Sequence, residues 1–484
     1  MLSAVILFAL ALSGGDGSPT AKPDEVYDTI VIGLGSAGAT AASTLCRAGR
    51  RVLALEAQNR IGGRVYTVPF GDGVVEVGGE WIHGTEQSRV YDLAIANNIT
   101  VLPDDWSLEI YRSDGSTANA TLIEELSMYG LGVTNDPPEK PEPVGQYITR
   151  KLMEYIQTKY PQLLNDKDFI NEFLRFMDQM INSYESSDSW NDVSTGGQSK
   201  DLGGHQGMSW HRYGYKTFFE ILLNTYKGGP GLQNLDIKLN KEVTQISWPQ
   251  DPTADVIVTC KDGTTYRAKH VIVTVSVGVL KDRHQTLFSP KLPQDKITSI
   301  EKMSIGVLIK IIMSFEQAWW NREGNFFGFI WKGADRKNVA KEDEWTTKIL
   351  CASTPMGSNN TLTLWVNGDV ADLVETLPDD EIKSKALGVL KRFLGKNITI
   401  PEPTGLLRSK WRTNPYTRGS YSYDNLLVTQ YPNARATLGE PLVDNSGKPR
   451  VLFAGEATNP THFATVHGAS ETGYREANRL LMLK

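Results

Sequence analysis

Apolar and polar positions follow a strand–helix–strand order at the start of the chain. Residues 29–32 form an apolar run that ends in a Gly-x-Gly-x-x-Gly loop, and an alanine-rich segment with helical periodicity follows. A second apolar run, residues 51–55, ends in Glu56. A glycine-rich turn between a buried strand and a helix, followed about 20 residues later by an acidic residue, is typical of dinucleotide-binding units.

Each part of this unit has a physical role. Gly33 makes the tight turn into the helix, Gly35 lets backbone approach a pyrophosphate, and Gly38 lets the helix pack closely on the sheet. The N–H groups at the helix N-terminus favour phosphate. Glu56 can accept hydrogen bonds from a ribose diol, and its charge disfavours a 2′-phosphate. A turn kept only for packing is the alternative, and the strand–loop–helix–strand–Glu order argues against it.

Later segments contain both strand and helix patterns. The strand patterns cover residues 237–239, 243–246, 256–259, 270–275, 307–315, 361–366 and 451–454. The helical patterns cover residues 146–159, 167–183, 379–393 and a last helix that ends at Leu481. Asp262-Gly263 is a hairpin signal, and the polar segments 134–144 and 186–204 are predicted to be loops.

Composition indicates a globular protein with two domains. The chain has 484 residues, which is more than one hydrophobic core usually supports, and 22% of them are charged. A net charge of −6 offers no basic surface for nucleic acid. Cys46 and Cys260 are expected to be buried apolar residues, although one disulfide among the three cysteines is left open. The seven histidines lack zinc-like spacing, so we expect no metal site.

The N-terminus predicts secretion. Residues 2–12 are an apolar run of signal-peptide length, too short to span a bilayer comfortably, and small residues follow. We expect residues 1–18 to be a signal peptide, with a disordered apolar tail or an uncleaved membrane anchor as the alternatives. The final Leu-Met-Leu-Lys is not a peroxisomal signal. Four N-glycosylation sequons support a secreted, extracellular protein, at Asn98, Asn119, Asn359 and Asn397.

Several segments together resemble the flavin-dependent polyamine oxidases of the monoamine oxidase family. The resemblance covers nearly all of the sequence after the apolar N-terminus. Its motifs are GLGSAG at 33–38, Gly62-Gly63-Arg64, GGEWIHG at 78–84, the strand around Lys310, Trp411 with Gly419-Ser-Tyr421, Gly455-Glu-Ala-Thr458 and Thr465-Val-His-Gly468. It implies an α/β fold of two domains, a Rossmann-like FAD-binding domain and an α+β substrate domain that has a mixed sheet with flanking helices.

Motifs near both ends of the chain must meet at one cofactor, so the FAD-binding domain is expected to be discontinuous. We expect it to contain residues 24–107, 232–303 and 402–484. Residues 108–231 and 304–401 are then the substrate-binding domain.

The resemblance implies FAD as the cofactor, bound noncovalently. Monoamine oxidases attach their flavin to a cysteine shortly before the last dinucleotide motif, and no cysteine follows Cys351 here. Arg64 is expected to add positive charge at the pyrophosphate, and the last helix to point its N-terminus at the flavin N1–C2=O region. The predicted cofactor-binding residues are Gly33, Gly35, Ser36, Gly38, Glu56, Gly63, Arg64, Gly79, Glu80, Trp81, Val243, Trp411, Gly455, Glu456, Thr465 and Val466.

Lys310 is the most informative single residue, because it interrupts an otherwise apolar strand. A buried ammonium without a partner is costly, so such a lysine is exposed at a sheet edge, paired or functional. Strand alternation places it on one face with Leu308 and Ile312. In the family that this chain resembles, the matching lysine holds a water against flavin N5, which implies a role for Lys310 in the reaction of reduced flavin with oxygen.

Other catalytic and substrate-binding residues are predicted from the same resemblance. His83 is expected to position substrate or handle protons, Tyr421 to form an aromatic wall with Trp411, and Thr465 to hydrogen-bond substrate. Glu185, with Asp188 nearby, is the candidate for binding a remote ammonium group. The alternatives are a structural histidine, ordinary aromatic packing and a solvated acidic loop.

The expected function is oxidation of polyamines such as spermine, spermidine or their acetylated forms, with oxygen as the acceptor and hydrogen peroxide as a product. A secreted L-amino-acid oxidase of the same fold is one alternative and would need a pocket arginine, for which Arg212, Arg408, Arg412 and Arg418 are available. A flavin-binding protein without turnover is another. The chain shows no long helical insertion of the kind that marks histone demethylases.

Overall fold

The computed structural model describes residues 25–104, 106–320, 326–396, 398–427 and 430–483. The predicted signal peptide, residues 1–18, and the sequon residue Asn397 lie outside this part of the chain.

A nine-stranded sheet forms one half of the molecule. Its strands are β1 (Val26–Ile32), β2 (Val52–Leu55), β9 (Leu235–Lys238), β10 (Val243–Ser247), β11 (Val256–Cys260), β12 (Thr265–Val273), β13 (Phe288–Ser289), β21 (Leu442–Val443) and β22 (Pro449–Phe453). β1 runs parallel to both β2 and β12, and β12 runs parallel to β22. β11 and β12 pair antiparallel around the predicted hairpin turn, where Gly263 has a φ of +82°.

The parallel strands end at one edge of this sheet and thereby place the motifs that follow them. Ile32 pairs with Leu55 and with Val273, and Val273 pairs with Phe453. The loops after β1, β2, β12 and β22 therefore emerge side by side. Carboxyl ends of parallel strands are the usual location of ligand sites in such sheets.

A six-stranded mixed sheet forms the other half. Its strands are β7 (Leu108–Arg112), β15 (Ile309–Ser314), β16 (Phe326–Ile330), β17 (Ile349–Ser353), β18 (Thr361–Val366) and β19 (Gly405–Arg408). β15 lies between β18 and β19, so the exposed-edge interpretation of Lys310 is wrong. The smaller sheets contain β3 (Thr67–Phe70) with β4 (Gly73–Glu76), β5 (Trp81–Ile82) with β6 (Leu102–Pro103) and β8 (Met208–Ser209), and β14 (Ser304–Ile305) with β20 (Ser422–Tyr423).

Helices cover both sheets. They are α1 (Ser36–Arg47), α2 (Arg89–Ala96), α3 (Ala120–Gly132), α4 (Val144–Lys159), α5 (Lys167–Glu185), α6 (Lys216–Leu222), α7 (Val277–Leu287), α8 (Gln294–Lys302), α9 (Gly333–Lys337), α10 (Ala371–Thr376), α11 (Asp379–Leu394), α12 (Ala434–Gly439) and α13 (Val466–Leu481). α1 and α13 pack closely because glycines face backbone at the contact. A Cβ added at Gly473 would lie 2.1 Å from the carbonyl oxygen of Ala37.

The predicted α/β architecture is confirmed, with two local differences at the expected domain limits. β19 comes from the segment 402–484 but pairs with β15, which satisfies the backbone groups along that side of the second sheet. α6 comes from the segment 108–231 but lies against α1, where Ser43 Oγ donates to the Leu222 carbonyl at 2.7 Å. The domain limits themselves remain a prediction.

All three cysteines are buried and free, so the disulfide left open by the sequence does not form here. Within the described residues, no helix combines the length and apolar character needed to cross a bilayer.

Candidate functional site

The glycine-rich turn after β1 forms a cradle of bare backbone. Gly33 has a φ of +92°, and a Cβ there would lie 2.9 Å from Thr274 Oγ1. A Cβ at Gly38 would lie 1.9 Å from the Gly33 carbonyl oxygen, so α1 approaches the sheet only because this residue is glycine. A Cβ at Gly63 would lie 3.3 Å from Gly35 Cα. The GGR turn and the first loop thus face each other.

Glu56 lies at the carboxyl end of β2 with its side chain buried. Its carboxylate accepts hydrogen bonds from the Leu34 N–H at 2.8 Å and from the Gln58 N–H at 2.9 Å. Burial raises the pKa of Glu56 although both backbone donors oppose that effect. The Lys241 N–H donates to the Glu56 carbonyl, which brings Val243, at the start of β10, next to this corner. The roles of Glu56 and Val243 in binding a dinucleotide remain predictions.

Arg64 and Glu456 join the two ends of the chain. The Arg64 guanidinium donates to Glu456 Oε1 at 2.9 Å and to the Ser420 carbonyl at 2.7 Å. Glu456 Oε2 accepts from Ser422 Oγ and from the Ala464 N–H. Burial alone would raise the pKa of the Glu456 carboxyl, but Arg64 and nearby Arg435 outweigh it and hold that pKa below its usual value.

The N-terminus of α13 meets that of α1. Ser36 Oγ donates to the Val466 carbonyl at 2.9 Å, and a Cβ at Gly79 would lie 3.2 Å from the Val466 side chain. The Thr465 hydroxyl caps α13: it accepts from the Gly468 N–H at 3.0 Å and donates to the His462 carbonyl at 2.7 Å. Its proton is therefore already used, so the predicted hydrogen bond to substrate would have to be accepted by the remaining lone pair of the hydroxyl oxygen. A threonine directly before a helix is a capping signal that the sequence already contained.

These residues fit a dinucleotide cofactor. α1 has twelve residues, its N-cap is Gly35, and no described side chain caps that end, so its first N–H groups are available for phosphate. Gly455, with a φ of +130°, and Glu456 follow the neighbouring strand β22. The glycine cradle, the uncapped helix and the Glu56 carboxylate together supply close backbone approach, phosphate donors and a ribose acceptor.

Lys310 lies on β15 and is 4% exposed. Its ammonium donates to the Glu76 carbonyl at 3.0 Å, to the Gly78 carbonyl at 2.9 Å and to Glu80 Oε2 at 2.6 Å. Three hydrogen bonds use all three protons of an ammonium. The water that the resemblance implies would therefore need one of these bonds to open.

Glu80 was predicted only as a backbone neighbour of the flavin, and its carboxylate is the missed counter-ion of Lys310. Glu76 was also missed. Its carboxyl accepts from Thr67 Oγ1 and the Tyr215 N–H, while burial, with Glu80 nearby, raises its pKa to about 7. Neither contact can be inferred from sequence spacing.

Aromatic side chains surround the ammonium. Trp81 stacks on Trp365 with ring centroids 5.6 Å apart, and Lys310 Nζ lies 4.5 Å from the Trp365 ring centroid. Trp365 was missed, because its position opposite Lys310 follows from the β15–β18 register. Trp411 is 6% exposed and packs with Ile312 in a small core cluster beside Gly78. Trp411 thus packs as a core residue, and its role as an aromatic wall at the flavin remains a prediction.

His83 comes directly after the strand β5 and is held in one orientation. Its Nδ1 lies 2.7 Å from the Gln206 carbonyl oxygen. A carbonyl only accepts, so Nδ1 carries the proton and Nε2 of the neutral ring has a free lone pair. Burial lowers the pKa of His83, which keeps the ring neutral around pH 7.

Glu185 ends α5 beside Tyr421. No described residue donates a hydrogen bond to its half-buried carboxylate, and burial, together with the charge of Asp424, raises its pKa to about 7. The Tyr421 hydroxyl donates to the Ser183 carbonyl at 2.6 Å, and burial together with the Glu185 charge raises the Tyr421 pKa. Asp188 is exposed, although burial of its carboxyl also raises its pKa.

The sequence matches a known protein family and several known proteins over most of its length. The model described as flavin containing amine oxidoreductase matches residues 36–233 and 166–481. The chain is 30% identical over 502 residues to the peroxisomal N(1)-acetyl-spermine/spermidine oxidase of Homo sapiens, covering 94% of both chains. It is 27% identical to the probable polyamine oxidase 5 of Arabidopsis thaliana, covering 93% of this chain and 97% of that one. It is also 29% identical to the lysine-specific histone demethylase 1 homolog 2 of Oryza sativa subsp. japonica, over 96% of this chain but 58% of that protein.

Proposed function

This chain belongs to the family of flavin-containing amine oxidoreductases, and we propose on that basis that it oxidises polyamines, free or N-acetylated, with FAD as cofactor and oxygen as acceptor. The observation that carries the proposal is the Glu185 carboxyl. It is half buried at the end of α5 and has no hydrogen-bond donor among the described residues. A cationic nitrogen distant from the reacting carbon would supply its missing partner.

The aromatic walls support a long, flexible amine as the substrate. Trp81 and Trp365 present stacked indoles, and Tyr421 is fixed by its bond to Ser183. Aromatic faces bury methylene groups and attract a cationic nitrogen, so the half-buried Trp81 and Tyr421 are the rings proposed to contact a polyamine chain.

His83 is the residue proposed to exchange protons with the substrate. Bound FAD would accept a hydride equivalent from the carbon next to a substrate nitrogen, which requires that nitrogen to be uncharged. With Nδ1 bonded to the Gln206 carbonyl, His83 offers the Nε2 lone pair to a substrate N–H. The resulting imine hydrolyses to an aldehyde and a shorter amine.

A substrate panel tests the proposal. Spermine, spermidine, N-acetylspermine, leucine, phenylalanine and a methylated-lysine peptide are each mixed anaerobically with the FAD-loaded protein, and flavin bleaching is followed. Hydrogen peroxide is then measured in air, and mass spectrometry of the products identifies the C–N bond that is cleaved. Bleaching by polyamines above all other amines is expected. Bleaching by the peptide or amino acids alone refutes the polyamine assignment.

An L-amino-acid oxidase is less well supported, because the four arginines available for a substrate carboxylate have other partners. Arg408 bonds the carbonyls of Val374 and Leu377, Arg412 pairs with Asp372, Arg418 pairs with Asp282, and Arg212 bonds Tyr213. A flavin-binding protein without turnover is the remaining alternative, and the absence of bleaching by every amine in the panel would favour it.

We also propose a secreted glycoprotein with noncovalent FAD. The sequon residues Asn98, Asn119 and Asn359 are exposed, as glycan attachment requires. Cys351, the last cysteine of the chain, is buried. Expression in a eukaryotic host tests both points: a mass decrease on glycosidase treatment of secreted protein, and release of FAD on acid precipitation, are expected. A cell-retained protein, or flavin that stays in the pellet, would contradict them.

A further inference from the structure

The Lys310 ammonium is fully paired before any ligand is considered. Two of its protons go to backbone carbonyls and the third goes to Glu80 Oε2, at 2.6 Å. The Lys310 and Glu80 side chains are 5% and 9% exposed. This ion pair is therefore sheltered from solvent and from the screening that weakens surface pairs.

Glu80 changes the net charge at the position of Lys310. A lone lysine would contribute one positive charge, whereas the ion pair contributes none. The Glu76 carboxyl is close enough to interact electrostatically with both Glu80 and Lys310. Its pKa of about 7, raised by burial, means that it adds negative charge as the pH rises above neutrality.

We propose that Glu80 is a positioning residue that neutralises Lys310 and thereby slows electron transfer from the reduced flavin to oxygen. The inference deepens the function proposed above and rests on it for the placement of the flavin beside Lys310. In this reaction, oxygen takes two electrons and one proton from the reduced flavin and one proton from solvent, which gives hydrogen peroxide and oxidised flavin. Positive charge beside the flavin stabilises the superoxide-like state that oxygen reaches first. A carboxylate hydrogen-bonded to that charge removes the benefit.

Two pairs of isosteric variants isolate the charge. E80Q has the size of the natural side chain and keeps an oxygen acceptor for Lys310, and E80N has the size of E80D. Each protein is reduced with dithionite under nitrogen, mixed with oxygenated buffer in a stopped-flow instrument, and followed by flavin absorbance. Because no amine is used, the result does not depend on whether polyamines are substrates.

The neutral member of each pair is expected to be reoxidised roughly tenfold faster than the charged member, the change produced by about 1.4 kcal/mol at the barrier. The flavin midpoint potential is expected to become more positive, because removal of a nearby negative charge stabilises the anionic reduced flavin. A role of Glu80 in packing alone would not move this potential.

E86Q is the matched control, since Glu86 is exposed on the same segment of the chain. It should leave both the rate and the potential unchanged. Equal rates and potentials for E80Q and the natural protein, and for E80N and E80D, would overturn the proposal, as would an equal gain for E86Q. If E80Q fails to retain flavin, the E80N and E80D pair decides.

Discussion

Replacement of Arg64 by methionine should destabilise the molecule at the point where its two ends meet. The Arg64 and Glu456 side chains are 23% and 5% exposed, and the pair is 2.9 Å apart. Loss of one partner from a buried pair costs about 3–5 kcal/mol, because the remaining charge is left without compensation. Arg435 and two hydrogen-bond donors still serve Glu456, so we expect a loss near the lower limit, about 3 kcal/mol in the free energy of unfolding.

The assay is urea unfolding with FAD held at a fixed excess, since bound ligand contributes to apparent stability. R64M/E456Q should recover about 1–2 kcal/mol of the loss, because no unpaired carboxylate remains. R267M is the control: Arg267 pairs with Asp255 at 2.9 Å but is 46% exposed, so it should cost less than about 1 kcal/mol. The reasoning is refuted if R64M costs no more than R267M, or if the second substitution gives no recovery.

Three further substitutions test other parts of the site. G38A should lower the free energy of unfolding, measured by thermal unfolding, by about 1–3 kcal/mol or more, because its Cβ would lie 1.9 Å from a carbonyl oxygen. G388A on α11 is the control: its added Cβ has no atom within 4 Å, so the substitution should be neutral or stabilising. E185Q should flatten the pH dependence of urea unfolding: the natural carboxyl, with a folded pKa of about 7 against about 4.3 unfolded, makes stability fall as pH rises between those values. W365L should lower the melting temperature, because it removes the indole 4.5 Å from the lysine ammonium and a contact of about 0.5–2 kcal/mol.

The glycine-rich loop and the nine-stranded sheet around it were predictable because their constraints are local. Gly33 and Gly38 must be glycine for reasons set within one turn, and Glu56 follows from the length of one strand–helix–strand unit. The predicted strand 361–366 agrees with β18 at both ends, and the predicted helix 379–393 is one residue shorter than α11. Periodicity suffices where a single element determines the outcome.

The surroundings of Lys310 were less predictable because the contacts there join distant segments of the sequence. Trp365 faces Lys310 through the β15–β18 register, and Glu80 reaches Lys310 across 230 positions of sequence. The pattern left open whether Lys310 is exposed at an edge, paired or functional, and it could not name the partner. Thr465 shows the opposite case, since local capping chemistry in the sequence already gave its hydroxyl a role.

The Glu456 and Glu185 carboxyls have pKa shifts in opposite directions. Glu456 has two guanidiniums nearby and two further hydrogen-bond donors, so its pKa is lowered despite burial, and its charge stabilises the fold above the pKa of an unfolded glutamate. Glu185 has no such donor among the described residues, and burial raises its pKa to about 7, so its ionised form opposes folding. A protein keeps a destabilising group where the group has another use. The Glu456 carboxylate is already compensated by the side chains and backbone around it, whereas the Glu185 carboxyl is one that a cation would compensate.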